Sequence, residues 1–165
     1  MKAAYRHNHP EVVKAAANRS RQSNREKVRA QHKKYYEENK ERIKVRCRVY
    51  QDRRRAADPL FKLSGDVRSL IWRSFKNKGW RKSSKTQEIL GCDFETLQAH
   101  LIQTAKANYG GKYFPKRPYH VDHIVPVSSS TTEEELIKLN HYTNLQYLYP
   151  QHNRQKSDKL DWKLS

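Results

Sequence analysis

Three consecutive 15-residue blocks, HPEVVKAAANRSRQS, NREKVRAQHKKYYEE and NKERIKVRCRVYQDR, fill residues 9–53. Glu11, Glu26 and Glu41 share one phase of the repeat, as do Val13, Val28 and Ile43, and Tyr35 and Tyr50. Residues 1–57 contain no glycine, and Pro10 is their only proline. A segment with a long repeat and no internal breaker is expected to be helical. It is either continuous or broken into short turns capped by Asn24 and Asn39, each two residues before a glutamate. Fifteen residues at 100° each leave about 60° of drift per repeat, so equivalent side chains wind slowly around the axis. The apolar positions are too few to give such a helix a core of its own.

Charge says what this segment is for. Residues 1–57 hold 18 Lys/Arg against 6 Asp/Glu, which is +12 of the chain's net +18. The plain reading is a solvated helix or a coiled coil. The scarcity of acidic partners favours contact with a polyanion, DNA first. The expected contacts are Arg25, Lys27, Arg29, Lys33, Lys34, Arg42, Lys44, Arg46, Arg48, Arg53 and Arg54. Across all 165 residues only 35% are hydrophobic and 32% charged, which argues against one large core. No stretch approaches the roughly 18 consecutive apolar residues a spanning helix needs, so no membrane partner is expected. The first twenty residues carry no apolar run of signal-peptide length, so secretion is not expected either. Cys47 and Cys92 stand far apart without a CxxC pair, which excludes a thiolate zinc site within this chain and fits a reduced, cytoplasmic setting.

A break follows at AADPLF, where Pro59 disfavours helix at Asp58. The next segment, 58–108, reads as a small helical unit. Leu63, Val67, Leu70, Ile71, Trp72 and Phe75 recur at helical spacing, and Gly79 is placed as a C-cap. SKTQEILG carries a capping-box pattern from Ser84 to Gln87 and stops at Gly91. Asp93 is expected to cap a helix that buries Phe94, Leu97, Leu101 and Ala105. The stretch WRSFKNKGWRKSSK adds Trp72, Arg73, Lys76, Trp80, Arg81 and Lys82 as expected backbone or groove contacts.

From residue 109 the pattern changes. HVDHIVPV reads as a short strand ending at Pro126. SSSTTEEELIKLN is a loop and short helix with a capping box from Thr132 to Glu135, HYTNLQYLYP is a second strand, and QHNRQKSDKL is a final helix after Pro150. A core of Phe114, Ile124, Leu136, Leu139, Leu145 and Leu148 is expected to hold it. Asp122 and His123 fall on the first strand, Asn144 opens the second, and His152 and Asn153 sit in the first turn of the helix. Hydrolysing a phosphodiester needs a nucleophilic water, a base to deprotonate it, and a cation to absorb charge on the phosphate. An imidazole with an ordinary pKa near 6.5 is neutral enough at pH 7–8 to be that base, and His123 is the candidate. Asp122 is its chain neighbour, so on a regular strand the two side chains point to opposite faces. A carboxylate with an amide or imidazole leaves most of a coordination sphere to water and phosphate oxygens, which suits Mg²⁺ or Mn²⁺.

VDHIVPVS, the N-L of HYTNLQYLYP, and HNRQKSD together resemble the HNH nucleases. The first and last are similar to segments of the HNH domain of RNA-guided CRISPR nucleases. HYTNLQYLYPQHN is similar to stand-alone phage HNH endonucleases. The resemblance covers about residues 110–160 and implies a ββα-metal fold over 109–165. It implies that His123 is the general base and that a bulge or twist brings Asp122 to the same phosphate. One ion per active site would be held by Asp122 and by either Asn153 or His152, with Asn153 favoured. Asn144 would pin the loop that holds His123, Arg154 and Lys156 would steady the substrate phosphate, and His120 is not expected as a ligand. The cysteine pairs that bind structural zinc in some HNH proteins are missing, so no structural zinc is expected. The expected whole is thus α+β and mostly α: a basic helical arm (1–57), a helical middle (58–108) and a C-terminal nuclease motif. Its partner is double-stranded DNA, with no small-molecule cofactor, in a site-preferring phage homing role. A DNA-binding protein with an inactive HNH site and a non-specific nuclease are the alternatives.

Overall fold

The computed structural model describes residues 8–115 and 117–164. The first seven residues of the expected arm lie outside the described residues, as do Lys116 and Ser165. The chain divides into two compact units, up to Arg53 and from Arg54 to Ser165.

The described part of the first unit belongs almost entirely to one helix. Helix α1 runs without interruption from Pro10 to Ala57, 48 residues, and none of them is buried. At 1.5 Å per residue it is about 72 Å long. Asn24 and Asn39 do not cap turns: both lie inside the helix, and Asn39 Nδ2 donates 2.9 Å to the Tyr35 carbonyl one turn back. Side-chain pairs along the surface include Lys44–Glu41 at 2.8 Å and Lys34–Glu38 at 3.8 Å. Exposed pairs of this kind contribute a few tenths of a kcal/mol each. Pro10 at the start, the lack of glycine and the run of Lys, Arg, Glu, Gln and Ala carry the rest.

The second unit is built around α2 (Pro59–Asn77), α3 (Thr86–Leu90), α4 (Phe94–Asn108), strand β1 (His120–His123), α5 (Glu133–Leu139), strand β2 (Leu145–Leu148) and α6 (Pro150–Lys156). Asp58 starts α2, its Oδ1 accepting from Phe61 N at 2.9 Å with Pro59 in the first turn. A Schellman turn ends it: Gly79 N bonds Lys76 O and Trp80 N bonds Phe75 O, with Gly79 at φ 76°. The box on α3 is shifted by one residue from the Ser84–Gln87 pattern, because Glu88 reaches back to Lys85 N at 2.9 Å. Gly91 closes α3 at φ 74°, where a Cβ would collide with the His141 ring. Asp93 caps α4 by accepting from Thr96 N at 2.7 Å, and Thr132 and Glu135 form the box on α5.

Leu63, Val67, Ile71 and Phe75 of α2 pack with Ile89 and Leu90 of α3, Phe94, Leu97 and Leu101 of α4, Leu136 and Leu145. Leu148 is buried as well, whereas Phe114 is 40% and Ile124 44% exposed, so neither belongs to the core as expected. For Ile124 the reason is that β1 stops at His123 and the chain beyond it turns outward; Phe114 lies in the connector before β1. Trp80 packs against the core rather than facing a groove, and Trp72 is the exposed tryptophan of the pair. The two strands are antiparallel, pairing His120 with Leu148, Val121 with Tyr147, Asp122 with Gln146, and His123 with Leu145. The molecule is therefore mostly helical, with this small sheet near its C-terminus. No described helix is long and apolar enough to cross a membrane.

Candidate active site

The sheet sets the geometry by its alternation. Register is regular through Asp122 and His123, with no bulge between them, so their side chains leave the strand on opposite sides. His120 and Asp122, two residues apart, line an open cleft of about 1230 Å³, and Asn153 of α6 lines it with them. Asn153 Nδ2 lies 3.1 Å from His120 Nδ1. Lys156, on the same short helix, is 3% exposed and places Nζ 3.2 Å from Asp122 Oδ2 and 2.7 Å from the His123 carbonyl. Gln146, opposite Asp122 on β2, donates to the same Oδ2 at 3.2 Å. Both contacts use Oδ2, and Oδ1 has no hydrogen-bond partner among the described residues. Lys156 thus has a different place from the one the sequence suggested. Its ammonium is committed inside the fold, tying the end of β1 to α6, and does not reach out to a phosphate.

His123 points the other way and is 5% exposed. Its Nε2 is 3.0 Å from Asn140 Oδ1, just past the end of α5. The protonation of the ring follows from the neighbours. Asn140 Nδ2 donates to Ser74 Oγ at 3.0 Å and to the Leu136 carbonyl at 2.8 Å, which fixes its Oδ1 as an acceptor. Ser74 in turn donates to the Ile71 carbonyl at 2.7 Å. Nε2 of His123 therefore carries the proton and Nδ1 is the bare nitrogen. No buried side-chain nitrogen or oxygen among the described residues is left without a partner, so Nδ1 belongs to the part of the ring that reaches solvent. Burial pulls the His123 pKa below its ordinary value; the Asn140 hydrogen bond and Asp122 oppose that shift, and Lys156 adds to it.

Asn144 braces the turn that follows His123. Its Oδ1 accepts from Val125 N at 2.9 Å, and its Nδ2 donates to Val125 O at 3.0 Å and Leu139 O at 2.7 Å. The Asn144 carbonyl accepts from Ile124 N at 2.7 Å. These bonds carry β1 out of the sheet immediately after the histidine. His152 does not line the cleft. Its Nδ1 lies 3.1 Å from the Tyr109 hydroxyl, and its ring stacks on Tyr109 at 5.7 Å.

The structure thus brings together Asp122, Asn153, His120 and Lys156 on one side of β1, and holds His123 on the other. Sequence reasoning missed Asn140 and Gln146. His120, not expected as a ligand, shares the strand face of Asp122 by simple alternation and contacts Asn153. Asn140 carried no signal in the sequence, because its role arises only when α5 folds back against β1. Arg73 also lines the cleft, whereas Arg81 and Arg154 are exposed and Lys76 lies 4.9 Å over the Trp72 ring. The cationic side chains of α1 from Arg25 to Arg53, and Arg54 beyond them, are exposed, and the Lys82 ammonium is 2.5 Å from the Ser84 carbonyl.

One carboxylate with an uncommitted oxygen and one side-chain amide on the same cleft are hard donors, and they suit a divalent ion that keeps most of its water. The Lys156 ammonium on Oδ2 already offsets part of the Asp122 charge, which points to modest rather than tight binding. The described residues hold no group of three or more His, Cys, Asp or Glu of the kind that cages an ion unaided. No protein-family model matches the chain, and neither a curated protein nor a solved structure matches it.

Proposed function

We propose that the chain is a metal-dependent DNA endonuclease of the HNH type, with one divalent ion and a histidine general base. The observation that supports it best is the arrangement around the end of β1. Asp122 and Asn153 line one cleft, while His123, next in the chain, is held with Nδ1 bare. A histidine whose pKa is lowered by burial is neutral at pH 7, and its free Nδ1 can take the proton of an attacking water. Asp122 and Asn153 are the residues that would hold Mg²⁺ or Mn²⁺, and the ion would supply Lewis-acid charge at the phosphate and the leaving oxygen. Asn144 keeps the turn after His123 in place, and Asn140 fixes the tautomer. Arg73 in the cleft and exposed Arg154 on α6 offer positive charge to the substrate phosphates. Cleavage by this route leaves 5′-phosphate and 3′-hydroxyl ends. The basic arm supplies affinity for duplex DNA through phosphate contacts. The likeness of VDHIVPVS and HNRQKSD to HNH segments extends the proposal to a site-preferring, phage homing-type enzyme.

A second reading has one observation in its favour. The His123 ring lies outside the wall of the cleft, and Asp122 already carries the Lys156 ammonium, as expected for a DNA-binding protein whose site is inactive. Nicking of supercoiled plasmid in Mg²⁺ or Mn²⁺ separates the two. The nuclease reading expects Asp122→Ala and Asn153→Ala to lose activity and His152→Ala to keep most of it. Loss on His152→Ala with Asn153→Ala unaffected would move the ion to His152.

A further inference from the structure

The cleft that holds Asp122 and Asn153 has an aromatic stack that the nuclease reading does not use, and beside it unpaired cations of which that reading uses only Arg73. Tyr113 and Tyr119 both line it, with ring centroids 5.4 Å apart and planes 21° apart. Tyr119 continues the stack to Tyr147 at 5.2 Å and Tyr149 at 5.0 Å, and Tyr149 to Tyr109 at 4.2 Å. Hydrogen bonds fix Tyr119, whose hydroxyl accepts from Phe114 N at 3.3 Å and donates to Tyr149 at 3.4 Å. Tyr113 is the last ring of this rigid series on the cleft side. Around it, Arg73 and Arg117 line the cleft with no acidic partner among the described residues; Arg117 lies 4.8 Å over Phe114 and 5.7 Å over Tyr149. Arg55 and Lys62 share the single carboxylate of Asp66.

Chemistry decides what such a cleft takes. In a duplex the base faces are already stacked on one another, and only the backbone would meet the lining. In an open cleft of about 1230 Å³ a few nucleotides of one strand can bring their base faces onto the rings. Flat rings beside arginines free of carboxylates are the combination that binds an unpaired strand, because every base has a face to stack and every link a charge to neutralise. We infer that the cleft takes one DNA strand locally separated from its complement, with a base stacked on Tyr113 and its flanking phosphates met by Arg73 and Arg117. This rests on the nuclease reading for the strand's purpose, not for its binding. Duplex DNA would then be engaged by the arm and opened, or already distorted, where it is cut.

The test is run on the full chain in EDTA, so that catalysis plays no part, and in 0.3 M KCl to suppress the arm. A fluorescein-labelled 12-nucleotide DNA strand and its duplex are titrated by anisotropy against wild type, Tyr113→Ala and Tyr113→Phe. Stacking predicts that Tyr113→Ala weakens binding of the single strand on the order of tenfold and of the duplex by less than about twofold, while Tyr113→Phe stays close to wild type. A strand carrying 5-iododeoxyuridine, irradiated on the wild-type protein, should cross-link at Tyr113, which keeps the test alive if Tyr113→Ala does not fold. Equal losses on both substrates, no loss on either, or cross-links confined to the arm would overturn the inference. A protein that nicks plasmid yet shows none of these signatures defeats the inference alone. One that shows them all but never nicks defeats the nuclease reading alone.

Discussion

Asn140 has two amide protons and both are used, by Ser74 Oγ and the Leu136 carbonyl, which leaves its oxygen for His123. In ¹⁵N-labelled protein at pH 7, long-range proton–nitrogen spectra should therefore show His123 with Nε2 protonated and Nδ1 bare. The opposite tautomer would remove Asn140 as the group that poises the ring. Asn140→Leu should cost about 1–3 kcal/mol through the unpaired groups it leaves. It should also lower kcat by about ten- to a hundredfold with little change in KM, as loss of an orienting partner does. Lys156 is a second fixed point. It and Asp122 are both largely buried, and removing one member of a buried pair costs about 3–5 kcal/mol. Lys156→Met should thus lower stability by that amount in urea melts, and adding Asp122→Asn should restore part of it. Unchanged melts would mean that the pair does not tie β1 to α6.

The aromatic stack gives the elements around β2 a pH signature. Tyr119 and Tyr147 are both pushed up to about 12, mainly by burial, and Tyr109 and Tyr113 are also raised. A phenol is neutral while protonated, so the unfolded chain, with an ordinary value near 10, loses the proton first. The stability these groups contribute is complete below about pH 10 and is lost as the pH rises toward 12. Absorbance at 295 nm should show part of the chain's ten tyrosines titrating late, together with unfolding. A single transition near pH 10 with the fold intact would contradict the burial. At this scale the sequence was a good guide where local chemistry sets the boundary: Pro59 at the break after α1, Asp93 under α4, and Thr132 with Glu135 on α5. It left a choice open where a residue type has two uses. Asn24 and Asn39 fit either caps or an unbroken helix, and with no breaker near them they stay in the helix, Asn39 bonding back to Tyr35. Ile124 read as core because an apolar run follows His123, but Asn144 turns the chain out of the sheet there. Asp122, His123 and Asn153 were singled out through the resemblance of their segments to HNH nucleases; the sides of β1 they occupy, and the Asn140 contact across 17 residues, needed the tertiary fold.

Across the whole molecule charge outweighs every other feature, +18 with two thirds of it in the arm. Affinity for duplex DNA should fall steeply with salt, with a slope of about −0.9 per phosphate neutralised. Replacing Arg25, Lys27, Arg29, Lys33 and Lys34 by glutamine should flatten that slope by up to about 4.5 if all five meet phosphates. The same slope in the variant, measured by anisotropy against KCl, would take this part of α1 out of the interface. The enzymatic claim is independent of the arm and rests on His123. Supercoiled plasmid incubated with the protein and Mg²⁺ should convert to nicked or linear form, stay intact in EDTA, and stay intact with a folded His123→Ala variant. A wild type that binds the plasmid but leaves it supercoiled in Mg²⁺ and Mn²⁺, or a His123→Ala variant that cuts as fast as wild type, would contradict it.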